Sequence, residues 1–252
     1  VNPEEYRKMY ELEDRYWYFQ GRKDIIAGLL RQILPKDKRP LRVLDVGCGT
    51  GLMLGKLKSM GYDPVGVDLH SLSMQYCRKR GTQKLLQADV THLPFINDSF
   101  DLILALDLIE HVQQDRALLK EFYRICAPGG RVLITVPAHP FLWSEHDEAL
   151  HHYRRYRKKP FLQMLKDCGF APLRYTYAIS ALYYPIVAFR LLQRLVKPNP
   201  RRPKTHLIEL PNWLNALLIQ LLRLEGAVLR RNDLPVGVTI LSILQPKKTH
   251  SV

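Results

Sequence analysis

VLDVGCGTG, residues 43–51, sets three glycines at alternate positions behind a short run of apolar residues and one aspartate. A strand ending in Asp45 and Val46 that turns through Gly47, Gly49 and Gly51 into a helix lets backbone N–H groups approach a ligand where side chains would block it. A dinucleotide site asks for G-x-G-x-x-G, and here the spacing is G-x-G-x-G with Leu52 in the last position, which disfavours nicotinamide. The next apolar run ends in Asp68, 21 residues after Gly47, where a carboxylate can accept both hydroxyls of a ribose. The third ends in Ala88-Asp89-Val90, and a carboxylate there can accept a hydrogen bond from an exocyclic amine such as that of adenine.

Outward from this loop, short apolar runs alternate with amphipathic stretches, the pattern of βα units around a parallel sheet. Residues 41–46, 64–68, 84–89, 100–106 and 131–136 read as buried strands. The stretches 52–61, 71–81 and 114–130 read as helices, the last two closing at glycine. Two further strands are expected at 171–178 and 236–246. Residues 3–34 read as helical, with the aromatic cluster Tyr16, Trp17, Tyr18 and Phe19 ahead of an apolar helical stripe.

VLDVGCGTG, VGVD, ADVTHLPFINDSFDLILALDLIEHV and PGGRVLITVP, in unbroken order over residues 41–137, resemble the class I S-adenosylmethionine-dependent methyltransferases. The resemblance implies an α/β, Rossmann-like seven-stranded sheet in the order 3-2-1-4-5-7-6 with strand 7 antiparallel, and S-adenosylmethionine as cofactor. It also implies roles: Asp45, Gly47 and Gly49 beside the methionine moiety, Asp68 at the ribose, Asp89 at the adenine amine, and Leu106 with Asp107 at the sulfonium end. Cys48, Leu69 and Val90 join these as expected cofactor neighbours. In this frame residues 1–40 form an N-terminal helical lid and 179–235 a helical insertion between strands 6 and 7 of one methyltransferase domain.

Methyl transfer is an in-line displacement, so placing the nucleophile matters most, and a hydroxyl acceptor also needs a base. The segment after strand 4, ALDLIEHV, lacks the Asn/Asp-Pro-Pro-Tyr signature of nucleobase and glutamine amine methylation, which makes nucleic acid a weaker partner. SEHDEALHHYRRY, residues 144–156, follows strand 5, and in open α/β sheets ligands bind beyond the carboxyl ends of the strands. It admits four readings. His146 or His152 can act as base with Asp147 orienting it, and Arg154, Arg155 and Tyr156 can hold an anionic group, with His139 and Trp143 also facing the acceptor. A metal on His146, Asp147 and His151 or His152 is not expected, because the spacing is not H-E-x-x-H and the transfer needs none. The fourth reading is a solvated loop.

The formal net charge is +14, and residues 151–204 hold thirteen Lys/Arg against the single acid Asp167. An anionic membrane surface or a polyanion suits that excess. Within it, 179–196 and 210–231 read as amphipathic helices joined by KPNPRRPK, too short to span a bilayer and suited either to a membrane interface or to a helical cap on the sheet. The four cysteines are scattered, so neither a zinc site nor a disulfide framework is expected, and a cytoplasmic setting, with or without peripheral contact to the membrane, fits. No signal peptide is read at the N-terminus. The acceptor is thus expected to be a small or lipid-linked molecule methylated at oxygen; RNA methylation, or cofactor binding without catalysis, are the rivals. The oligomeric state stays open.

Overall fold

The computed structural model describes residues 3–34, 40–195 and 210–248. Helices α1 (Pro3–Leu12) and α2 (Trp17–Ile33) precede β1 (Val43–Val46), α3 (Leu52–Ser59), β2 (Val65–Asp68), α4 (Ser71–Lys79), β3 (Leu85–Gln87) and β4 (Phe100–Leu106). There follow α5 (Asp115–Ile125), β5 (Cys126–Pro137), the short α6 (Glu145–Ala149), α7 (Lys158–Asp167), β6 (Phe170–Ala178), α8 (Tyr183–Leu195), α9 (Asn212–Leu229) and β7 (Thr239–Pro246). The sheet order is β3-β2-β1-β4-β5-β7-β6, with β7 antiparallel to both its neighbours, as the motifs implied.

Side-chain alternation along the strands builds two cores. Leu44, Val46, Ile103, Ala105, Val132 and Ile134 face one side, where Leu119 and Phe122 of α5 and Phe161 and Leu165 of α7 cover them. Val43, Leu102, Leu104, Leu133, Leu241 and Ile243 face the other, under Ile25 and Leu29 of α2 and Leu222 and Leu229 of α9. Strands apolar on both faces are what a parallel sheet between helical layers requires, and each fully buried Leu or Ile contributes about 1.5–3 kcal/mol. The segments read as a lid and an insertion therefore also supply a structural layer. Asn215 of α9 accepts from Trp17 N–H at 2.9 Å and donates to Arg15 O at 2.8 Å, and Arg223 pairs with Asp24 at 2.7 Å.

Two boundaries differ from the sequence reading. The helix expected over 114–130 ends at Ile125, and Cys126 already pairs with Phe100 in the sheet. Pro128 cannot continue a helix and pushes the residue before it out of the helical region, so 126–130 becomes a bulged entry to β5 rather than a helix end. The strand expected over 84–89 stops at Gln87, which leaves Asp89 in a turn. KPNPRRPK lies outside the described residues.

The contact between α2 and α9 depends on Gly21: a Cβ there would sit 2.2 Å from Leu222 Cδ1 and 2.7 Å from its Cβ. Gly21→Ala is expected to lower the urea unfolding midpoint by an amount equal to about 1–3 kcal/mol. Gly55→Ala in α3, where nothing lies within 4 Å of the added methyl, should raise it by about 0.4–1 kcal/mol. Equal shifts for the two variants would contradict this packing.

Candidate functional site

β1 lies between β2 and β4, so the crevice at its carboxyl end opens where the chain order reverses. There Gly47 (φ +71°) and Gly51 (φ +89°) occupy left-handed backbone, and a Cβ on Gly51 would lie 2.9 Å from Cys77 Sγ. The cleft beside the loop is lined below by Asp45, Gly47, Gly49 and Leu106 and above by Met9, Phe19 and Arg22.

Asp68 is buried; Oδ2 accepts from Gly49 N–H at 2.9 Å, and Oδ1 from His70 N–H and the Tyr6 hydroxyl, both at 3.1 Å. Asp45 is buried and has no ion pair among the described residues, and burial, with Asp68 nearby, pushes its carboxyl up to about 7. Asp89 is exposed and its Oδ1 accepts from both Thr91 N–H and Thr91 Oγ1 at 2.8 Å, which holds it below the usual carboxylate range. Leu69 is exposed beside Asp68, whereas Val90 belongs to the core under the sheet. The Cys48 thiol packs behind the loop, 3.7 Å from Ser73 Oγ and 3.9 Å from Cys77 Sγ. These residues fit S-adenosylmethionine: a glycine loop that keeps its main chain open, an acid at the end of β2, and an enclosed floor.

Asp107 (φ +52°) directly follows β4 and ties α2 to the sheet. Its Oδ1 accepts from Thr135 Oγ1 at 2.7 Å, and Oδ2 meets Arg22 Nη1 at 2.9 Å and the Tyr18 hydroxyl at 3.2 Å. Glu13, which bonds Thr50 and Arg80, is pushed up to about 7 by burial against the pull of those two partners. Tyr6, Glu13, Tyr18 and Arg22 are the site residues that motif reading missed; the only sequence signal was the aromatic cluster at 16–19.

The 139–156 loop folds around Asp147, which is fully buried. Its Oδ2 accepts from Ser144 N–H and Oγ, and its Oδ1 from His152 Nδ1 at 2.9 Å and Arg155 Nε at 2.7 Å. Burial alone would raise this carboxyl, but His152 and Arg155 hold it down at about 2. Arg154 pairs with Asp115 at 2.7 Å, and Tyr156, buried, donates to the same carboxylate at 3.2 Å. The expected anion clamp thus finds its guanidinium groups engaged by carboxylates of the fold, Asp115 and Asp147, because burial at this depth demands a counter-charge. Trp143 is half-buried with Nε1 3.4 Å from Glu148 Oε1, and burial lowers His146 to about 4. His139 (φ +59°) stacks on Tyr177 at 5.4 Å between Phe141 and Tyr183, forming an aromatic wall that reaches into α8.

Glu110 and His111 stand in the turn after β4, close to Asp107 and His152. Glu110 has no exposed surface, and neither carboxylate oxygen bonds another of the described residues, so burial, with Asp107 nearby, pushes it well above its usual range. The His111 ring meets the His152 ring edge-on at 4.6 Å, and burial followed by the proximity of His152 lowers His111 to about 3.

Residues 44–134 match the family model described as a methyltransferase domain. Over 228 residues the chain is 26% identical to the ubiquinone biosynthesis O-methyltransferase of Idiomarina loihiensis, covering 79% of this chain and 91% of that protein. It is 26% identical to the biotin biosynthesis bifunctional protein BioHC of Cellvibrio japonicus over 64% of this chain and 35% of that protein. Against three of the relatives it matches, the chain spans only 26 to 38% of their length. Among solved structures, the Haemonchus contortus phosphoethanolamine N-methyltransferase 2, in complex with phosphomonomethylethanolamine and S-adenosylhomocysteine, superposes with a TM-score of 0.56 at 21% identity, over 89% of this chain and 52% of that one. The chain thus matches a methyltransferase domain over residues 44–134, on a sheet with the strand order of the class I, S-adenosylmethionine-dependent methyltransferase fold.

Proposed function

We propose that this protein transfers a methyl group from S-adenosylmethionine to a hydroxyl oxygen of a small or lipid-linked acceptor bound between Asp107 and the 139–156 loop. The observation that carries the reading is the Asp147–His152 pair: the buried carboxylate accepts from Nδ1 and leaves Nε2 as the basic nitrogen, beside His111 and Glu110 at the carboxyl ends of the central strands. The cofactor supplies an electrophilic methyl group on a sulfonium sulfur. Asp45 and the glycine loop would hold its methionine end, Asp68 its ribose, and Oδ2 of Asp89 the adenine amine, since Oδ1 is engaged by Thr91. Arg22 and Tyr18, fixed to Asp107, close the lid over the reacting end and exclude water. The wall of His139, Tyr177 and Tyr183 suits an acceptor whose hydroxyl sits on an aromatic or apolar body. Arg154, Arg155 and Arg174 are paired with carboxylates, so RNA methylation draws less support from the basic surface than the charge alone suggests.

Membrane contact accompanies this reading. No described helix is long and apolar enough to cross a bilayer. Leu191 and Leu192 of α8 and Trp213, Leu217 and Leu224 of α9 are nevertheless exposed, the pattern of helices lying in an interface.

With S-adenosylhomocysteine release followed across a panel of phenolic and lipid-linked hydroxyl acceptors, His152→Ala should lower turnover about 10²- to 10⁴-fold while cofactor affinity stays unchanged. Loss of cofactor binding with turnover per bound cofactor preserved would overturn the assignment. Cofactor affinity should also depend on pH through Asp45. The free carboxyl holds its proton below about 7, whereas the cofactor's ammonium group favours the ionised form, so affinity should fall by up to about tenfold per pH unit below 7. Asp45→Asn should flatten that profile in calorimetric titrations; an unchanged slope would remove Asp45 from the site. Flotation with anionic liposomes at low salt should carry the protein upward, and Trp213→Ala with Leu217→Asp should abolish it; a wild-type protein that stays at the bottom ends the membrane reading.

A further inference from the structure

We propose that Glu110, His111 and His152 form a binding site for one first-row divalent transition-metal ion, of which Zn²⁺ is the representative. This departs from the sequence expectation of no metal and uses a different residue set, and it does not rest on the methyl-transfer reading. One ligand atom from each of the three residues lies within 4.8 Å of the other two. Glu110 is fully buried with both carboxylate oxygens unpartnered among the described residues, which is costly for a charged group unless a cation completes it.

Each imidazole is already oriented from behind. His152 Nδ1 is bonded to Asp147 Oδ1 at 2.9 Å, and His111 bonds the main chain of Leu150. Carboxylate or carbonyl on one ring nitrogen and a free lone pair on the other is the arrangement that orients histidines toward metals. The ring of His111 meets that of His152 edge-on at 4.6 Å, and each ring brings a nitrogen within 4.8 Å of the other and of a Glu110 carboxylate oxygen.

The surrounding charge agrees. Asp107, Glu110 and Asp147 bring three carboxylates to this region, against Arg22 and Arg155, which pair with the first and last of them. Two imidazoles and one carboxylate are a donor set for Zn²⁺ and its neighbours rather than for Mg²⁺ or Ca²⁺, which prefer oxygen throughout. Ligands about 2.0–2.2 Å from a tetrahedral ion lie about 3.4 Å apart, so the cluster must tighten by rather more than an ångström, within reach of side-chain rotation. Three protein ligands leave the fourth position of a tetrahedral ion to a water or hydroxyl, and with the ion bound His152 Nε2 is a ligand rather than a base, so that ionising a hydroxyl there would fall to the ion.

The test starts from protein stripped with chelator and titrated with Zn²⁺ by calorimetry and with Co²⁺ by its visible absorption. Wild type should take up one equivalent, with Co²⁺ bands intense enough to mark four- or five-coordination, and its melting temperature should rise with free Zn²⁺. Glu110→Gln and His111→Asn should each weaken uptake at least 100-fold, while His92→Asn, at an exposed histidine, should not. Thermal melts establish that the variants fold, and a variant that fails to fold leaves the decision to the other one and to the wild-type titration. No stoichiometric uptake by wild type, or wild-type affinity retained in Glu110→Gln and His111→Asn, overturns the proposal. S-adenosylmethionine binding is measured in parallel: cofactor binding without metal uptake sinks this site alone, and metal uptake without cofactor binding sinks the methyl-transfer reading alone.

Discussion

Asp107 is the point on which the rest of the site hangs. It stands at the carboxyl end of β4 in left-handed backbone, tied to β5 through Thr135 and to α2 through Arg22 and Tyr18. One carboxylate therefore fixes the distance between the sheet and the helix that closes over the cleft. Both Arg22 and Asp107 are largely removed from water, and removing either would leave the other with a charge it cannot discharge. A contact of this kind gives register more than it gives stability, which is what a lid over a reacting group needs.

The same logic recurs at Asp147. Its burial is tolerated because His152, Arg155 and the start of α6 all donate to it, and in return it sets the position and tautomer of His152. Arg155 also donates to Ala138 O at 3.2 Å, and Tyr153 N–H to Glu110 O at 2.8 Å, so the loop after β5 and the turn after β4 are stitched into one unit. The lid at the other end of the cleft is drawn in by Tyr6, which donates to Asp68 at 3.1 Å. If Asp68 takes a ribose as proposed, that hydroxyl would compete with Tyr6 for the same oxygen.

The layering explains why the terminal and inserted segments cannot be treated as appendages. α2 and α9 bury Ile25, Leu29, Leu222 and Leu229 against a sheet face that would otherwise be open. Their outer surfaces are left to other tasks, and the exposed leucines and Trp213 belong to that side. One helix can thus act as both structural cover and interface.

The glycine loop and the acid of β2 were legible in the sequence because each depends on residues close together in the chain: a strand, a turn and the start of a helix announce themselves within ten positions, whereas the sheet order came from the family resemblance alone. The end of α5 was misread because the apolar spacing runs smoothly into Cys126, and only pairing with Phe100, together with Pro128, decides for strand. The role of Arg154 was hidden because its partner, Asp115, lies 39 positions away on another element. That the Glu110 carboxylate meets no hydrogen-bond partner among the described residues emerges only once the chain has closed around it. The sequence by itself determined the backbone that receives a cofactor, since main-chain geometry follows local residue type. Only the tertiary structure decided which side chains are spent on the fold and which are left free for chemistry, since burial and charge pairing are made by residues far apart in the chain.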